Sequence, residues 1–272
     1  MTDLSEHYLM DGSAPNERDR LGAIESTYDP GTLRHLSRLG LGPGSRVLVA
    51  GAGGGSLLPW LSEAVGDSGS VLATDIETQH LTATEQPANV TVLRHDFLTE
   101  EFPADTFDLV HARLILIHFP QREHILARLV RALRPGGRLL VEEYDWGSYG
   151  PVGSPGQNES ARALIDKLAG FYRLHGFDPF VGRKLPGMLR RAGLVDVDAE
   201  GRVLTLRGAT SSLAAIYLGS HVQFLARDDI GGLISAEETA GLLARMSDPD
   251  FDMTGQTMMA AWGRLPEGGD SA

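Results

Sequence analysis

The sequence predicts an α/β fold built on a parallel, doubly wound sheet, and three observations carry that prediction. Short apolar runs alternate with amphipathic helical stretches from about residue 45 to 145. The run "VLVAGAGGGS" (Val47–Ser56) falls straight from a strand into glycines, as at a sharp strand-to-helix turn. Acidic residues, Asp75 and Asp96, close the next two strand-like runs, where such sheets bind ligands beyond their carboxyl ends.

The elements follow in order. Residues 1 to about 20 are polar and read as an arm. "DPGTLRHLSRLG" (Asp29–Gly40) places Leu33, Leu36 and Leu39 at helical spacing, with Gly40 suited to a C-cap. Together, residues 1–40 are expected to form an N-terminal helical arm or lid, and 41–272 the main domain. "LGPGSRVLVA" turns into a buried strand. "LLPWLSEAVG" is a helix whose Pro59 is tolerable only in the first turn, so the helix starts at the glycines. "SVLATDI", "NVTVLRHDF" and "FDLVHARLILIH" supply strands two to four. "PQREHILARLVRALRPGG" is amphipathic through Ile125, Leu126, Leu129, Val130 and Leu133, and its Pro-Gly-Gly stops it. "RLLVEEYD" is strand five. Beyond Asp145 a Gly/Ser/Pro-rich loop, two helices, the strand-like "VDVDAEGRVLTL" and a last strand in "TGQTMMAAWGRL" are expected. Helical residues at about 210–247 read as an insertion walling a pocket.

Bulk properties exclude several functions. The 272 residues suffice for one large domain with a real core. A net charge of −12 leaves no basic excess to displace counterions from a nucleic acid, and it disfavours an anionic membrane surface. With no cysteine, disulfides, thiolate metal sites and cysteine nucleophiles are ruled out. The acidic N-terminus is no signal peptide, and no apolar run approaches the roughly 18–20 residues of a membrane helix. The expected location is cytoplasmic. The expected partner is a small-molecule substrate, with neither nucleic acid nor membrane, and a homodimer stays open.

The glycine loop admits more than one ligand. No lysine follows it, so the Walker pattern fails. Ser56 occupies the third position of the dinucleotide fingerprint, an imperfect match, whereas Gly51, Gly53 and Gly55 fit G-x-G-x-G fully. Asp75 is placed to accept both hydroxyls of a ribose, or else to cap a helix. Asp96 beside Phe97 suits an adenine amino group and ring face, or a simple turn.

In order and spacing, "VLVAGAGGGS", "LATDI", "RHDF", "FDLVHARLILIHFP" and "LRPGGRLLVEE" resemble the class I S-adenosylmethionine-dependent methyltransferases, and more narrowly the actinobacterial small-molecule type. The resemblance implies a Rossmann-like sheet of seven strands with an antiparallel last strand, and S-adenosylmethionine as cofactor. It implies that Gly51, Ala52, Gly53 and Gly55 lie along the cofactor. Asp75 would hold the ribose, Ile76 the adenine, Asp96 and Phe97 the adenine edge and face, and Ala112 and Arg113 the sulfonium and amino group. Val49 departs from the pattern, standing where the family carries an acidic residue that anchors the loop or the cofactor's ammonium.

For transfer to an oxygen or nitrogen, a base is wanted at the ends of strands four and five. His118 is the first candidate and Asp145 the second. Glu142 is a candidate for orienting a substrate; Tyr8, Tyr28 and Trp146 are candidates for closing over it. His111, inside strand four, is expected to be structural. No metal is expected, because neither H-x-x-x-H nor H-E-x-x-H occurs. The expected reaction is methyl transfer to an O, N or C atom of a small, secondary-metabolite-like molecule. Alternatives are S-adenosylmethionine-dependent cyclisation or rearrangement, a degenerate accessory subunit, and an NAD-dependent oxidoreductase; the last lacks a Tyr-x-x-x-Lys pair.

Overall fold

The computed structural model describes residues 16–83, 85–152, 159–208 and 234–267. The glycine punctuation and apolar runs produce β1 (Arg46–Ala50), α2 (Leu58–Val65), β2 (Ser70–Asp75), α3 (Gln79–Thr82), β3 (Val90–Arg94), β4 (Phe107–Arg113), α4 (Arg122–Ala132) and β5 (Leu133–Asp145). Before them runs α1 (Glu17–Arg38). After them come β6 (Gly150–Pro151), α5 (Glu159–Leu174), α6 (Leu185–Arg191), β7 (Val195–Arg202), β8 (Thr205–Arg207), α7 (Ala236–Ser247), β9 (Asp252–Thr254) and β10 (Thr257–Arg264).

Seven strands form one sheet in the order β3-β2-β1-β4-β5-β10-β7. Strands β1 to β5 pair in parallel, and β10 runs antiparallel to both neighbours. The order reverses between β1 and β2 on one side and β4 on the other, and a doubly wound sheet opens its ligand crevice at that switch. The expected α/β class, the seven strands and the antiparallel last strand are all present. One apolar layer packs α4, α5 and α6 against one face of the sheet. A second buries Val47, Val49, Leu109 and Leu140 with Leu36 of α1 and Leu58 and Leu61 of α2 on the other.

Three expectations change. The first helix begins at Glu17 and runs through Pro30, twelve residues ahead of the Asp29 start. Asp-Pro mimics an N-cap followed by N1, but here Ile24, Tyr28 and Leu36 bury one continuous face. Likewise, the "VDVDAEGRVLTL" segment divides: β7 joins the large sheet, and β8 joins a separate three-stranded sheet, β6-β9-β8. The "LRPGG" segment is already strand, since Leu133 pairs with Phe107 before the register shifts. Of the expected helical insertion, residues 209–233 lie outside the described residues, and α7 forms its end.

Candidate active site

The glycine loop leaves β1 with Gly51, Gly53 and Gly55 at φ of 69°, 57° and 82°, values costly for other residues. Gly51, Gly54 and Gly55 also admit close neighbours. A Cβ on Gly51 would lie 2.1 Å from Cδ1 of Ile115, and one on Gly54 would strike the Arg18–Glu25 pair of α1. The first helix thus lies directly over the loop. The loop amides are engaged internally: Gly51 and Ala52 donate to the Thr74 carbonyl at 2.8 and 2.9 Å, and Gly55 to that of Ala52 at 3.0 Å. Gly53 donates to Asp75 Oδ2 at 2.8 Å. A pyrophosphate needs such amides free, so this loop is poorly suited to a dinucleotide.

A cavity of about 190 Å³ opens over the loop and the carboxyl ends of β1, β2, β4 and β5. Gly51, Ala52, Gly53, Asp75, Ile76 and Phe97, all residues that the resemblance gives to the cofactor, line it together at one end. The Asp75 carboxylate accepts from Gly53 and, at 3.1 Å, from Glu77 N, and each oxygen retains a further lone pair. Burial raises its pKa, against the pull of these amides. Glu77 and His80 add polar groups beside it; His80 Nε2 has no hydrogen-bond partner among the described residues. The donors and acceptors therefore fit an adenosyl group.

The far end is aromatic. Trp146 meets the rings of Tyr149, Tyr172 and Phe177 edge-on, at centroid distances of 5.3, 5.3 and 6.0 Å. Phe119 and Phe177 meet the His118 ring edge-on, at centroid distances of 6.4 and 5.4 Å. His118 is buried and, with Arg20 adding repulsion, desolvation pushes its pKa down to about 3, so it is neutral. Arg20 reaches this wall in a buried forked pair with Glu17, at 2.7 and 2.6 Å.

Several expected site residues stand elsewhere. Asp145 is not on the cavity wall: Arg183 grips both of its oxygens and the Gly147 amide donates to it at 2.8 Å, so its role is to brace the turn after β5. Glu142 faces α1, accepting from Thr32 Oγ1 at 2.6 Å and pairing with His111 at 3.0 Å, away from the substrate space. Tyr28 lies behind Tyr144, ring to ring at 5.6 Å. Asp96 does not line the cavity; its Oδ1 accepts from Leu98 N at 2.7 Å, a turn contact. Ala112 is fully buried in the core, and Gly55 borders only a smaller cavity. Arg113 lines both cavities and pairs with Asp29 of α1 at 2.9 Å. Tyr8 lies outside the described residues.

The first helix supplies residues that pattern reading missed: Arg20, Leu21, Ile24 and Glu25. Their periodicity was the available signal, masked by the charged stretch in which they sit. Ile115 and Ile117 follow β4 in a turn fixed by Glu143, whose Oε1 accepts from Ile115 N and Leu116 N at 2.9 and 2.6 Å. Burial pushes the Glu143 pKa up to about 8. Among the described residues no group of three or more His, Asp or Glu is arranged to hold a metal.

Comparison with known proteins agrees with this geometry. A family described as a methyltransferase domain matches residues 47–137, from β1 into the first residues of β5. Nocamycin O-methyltransferase of Saccharothrix syringae is 30% identical over 220 residues, covering 71% of this chain and 76% of that protein. Methyltransferase str3 of Strobilurus tenacellus is 29% identical over 157 residues, 57% of this chain; the match spans about half, 54%, of that relative. Among solved structures, phosphoethanolamine N-methyltransferase 2 of Haemonchus contortus, with phosphomonomethylethanolamine and S-adenosylhomocysteine, aligns with a TM-score of 0.58. It covers 93% of this chain and 58% of that one at 18% identity, a likeness of fold. The chain belongs to the class I S-adenosylmethionine-dependent methyltransferases.

Proposed function

We propose that the protein methylates an O, N or C atom of a small, largely apolar acceptor held in the aromatic end of the cavity. The observation that carries this is continuity: one cavity joins the Gly51–Asp75–Phe97 end to the His118–Trp146–Phe177 end. Holding two reactants in one water-poor space is the main requirement of an in-line transfer. S-adenosylmethionine supplies an activated methyl group on a sulfonium. Asp75 holds the ribose hydroxyls, with Ile76 and Phe97 flanking the adenine. Trp146, Tyr172 and Phe177 exclude water and bind the acceptor by area and edge contacts. His118 is neutral, and with a pKa near 3 it is a weak base. That favours acceptors that are nucleophilic without prior deprotonation by the enzyme. The first helix acts as a lid, since its side chains roof the loop.

An acceptor from secondary metabolism is supported by the likeness to nocamycin O-methyltransferase. A cytoplasmic site of action is supported by the acidic composition; no helix among the described residues is long and apolar enough to cross a membrane. The test is incubation with S-adenosylmethionine and a panel of apolar phenols, amines and enols, read by mass spectrometry. Gain of one methyl group on an acceptor, with formation of S-adenosylhomocysteine, supports the proposal. Cofactor binding with a rearranged, unmethylated product would instead favour cyclisation or rearrangement.

A further inference from the structure

Beneath the glycine loop, the sheet assembles polar groups that the transfer itself does not use. Val49 of β1, His111 of β4 and Leu140 of β5 are neighbours in register. His111 is 2% exposed. Its Nε2 lies 3.0 Å from Glu142 Oε2, an oxygen that also accepts from Thr32 Oγ1. The other ring nitrogen, Nδ1, is buried with no partner among the described residues. A second cavity of about 20 Å³ borders this histidine, lined also by Val49, Gly51, Ala52, Gly55 and Arg113. That volume is enough for one small polar group or one water.

The His111 and Arg113 side chains on this cavity each have a carboxylate behind them. Glu142 is 2% exposed and carries a carboxylate whose pKa burial would raise, but which the His111 hydrogen bond and nearby Arg113 hold below its usual range. Arg113 is already paired with Asp29. Of these groups only His111 and Arg113 line the cavity; Glu142 stands behind the first and Asp29 behind the second. Val49 brings no polar group to it.

We propose that His111, held by Glu142, binds the α-ammonium group of S-adenosylmethionine at the small cavity under Gly51 and Ala52, directly or through one water, and so supplies the anchor that an acidic side chain at position 49 would give. This rests on the cofactor assignment above. With Nε2–H donating to Glu142, Nδ1 is the acceptor, and the carboxylate behind it makes it a better one. Glu142 is then a positioning residue, and His111 a binding residue.

The test is calorimetric titration of the full chain with S-adenosylhomocysteine and with its des-amino analogue, which lacks only the ammonium. His111→Leu and the nearly isosteric Glu142→Gln are compared with the wild type. Each variant is expected to bind S-adenosylhomocysteine about 10- to 100-fold more weakly, the range for a hydrogen bond to a charged group. Binding of the des-amino analogue should change less than about 2-fold. An equal loss for both ligands, or no loss for S-adenosylhomocysteine, overturns the proposal. If His111→Leu fails to fold, Glu142→Gln decides alone, because it preserves the shape and removes the charge. A wild type that binds neither ligand overturns the cofactor assignment itself, an outcome distinct from the other two.

Discussion

The guanidinium of Arg183 grips Asp145 by both oxygens, Nε to Oδ2 at 2.5 Å and Nη2 to Oδ1 at 2.6 Å. The carboxylate that sequence position nominates for catalysis is therefore occupied by a brace. Asp145→Asn should lower stability by about 1–2 kcal/mol, from loss of a charged cap and fork, and leave cofactor affinity within about 2-fold. Thermal unfolding and cofactor titration of the variant check this; intact stability with lost turnover would restore a catalytic role. Burial opposes the charge on Asp145, but the Arg183 hydrogen bonds and charge, together with the Gly147 amide, outweigh it and lower the pKa. The stabilisation is thus present above the ordinary carboxylate pKa and is lost as pH falls through the lower folded value.

His118 sets a second pH dependence. Its pKa is about 3 in the fold against 6.5 in the unfolded chain. Between those values the unfolded chain binds more protons, so stability rises with pH across that window and is lost on acidification below about 6.5. Each unit costs about 1.4 kcal/mol. His118→Gln should flatten the stability profile between pH 6.5 and 5, as read by denaturant titration. The kcat/KM profile of the wild type should show no ionisation from this group between pH 5 and 8; a histidine-like step that disappears in His118→Gln would contradict the burial argument.

Gly51 tests the loop. Gly51→Ala places a Cβ 2.1 Å from Ile115 Cδ1 at a φ of 69°. Ile115 has a flexible end and lines the cavity, so a swing carries it into that space. The variant should lose about 1–2 kcal/mol through backbone strain and bind cofactor at least about 10-fold more weakly. Ile115→Val in the same chain should recover part of the affinity and little of the stability, since it leaves φ unchanged. Unaltered affinity in Gly51→Ala would mean that the loop does not border the cofactor.

Much of this site was legible because it is local. Gly51, Asp75, Ile76 and Phe97 sit at fixed offsets from strand ends, and strand ends follow from apolar runs. His118 and Trp146 come just after β4 and β5 and inherit the same logic. What was not legible depends on which face a strand turns toward which helix. Glu142 and Glu143 are adjacent, yet one is bonded to Thr32 of α1 and the other to the turn at Ile115–Leu116. No periodicity could assign those partners before the placement of α1 was known. That helix was itself hidden by Asp29-Pro30, whose N-cap appearance is overridden by the packing of Ile24 and Tyr28.

Trp146 anchors the aromatic end of the cavity. Trp146→Phe keeps most of the apolar area while changing the contour against Tyr172 and Phe177. The acceptor KM should rise by about 10-fold or more, with S-adenosylmethionine affinity unchanged, because one ring edge in a hydrophobic pocket is worth roughly 1–3 kcal/mol. A matching loss of cofactor affinity would show that the aromatic end is not the acceptor site.

The most direct measurement is the affinity of Asp75→Ala for S-adenosylhomocysteine. Asp75 accepts from Gly53 and Glu77 and has lone pairs left for two hydroxyls. Removing charge-assisted hydrogen bonds of this kind costs about 1.5–3 kcal/mol. Calorimetry should therefore show wild-type binding and a loss of about 10- to 150-fold in the variant. Equal affinity in the two proteins, or no binding by the wild type at millimolar ligand, would contradict the assignment of this cavity to the cofactor.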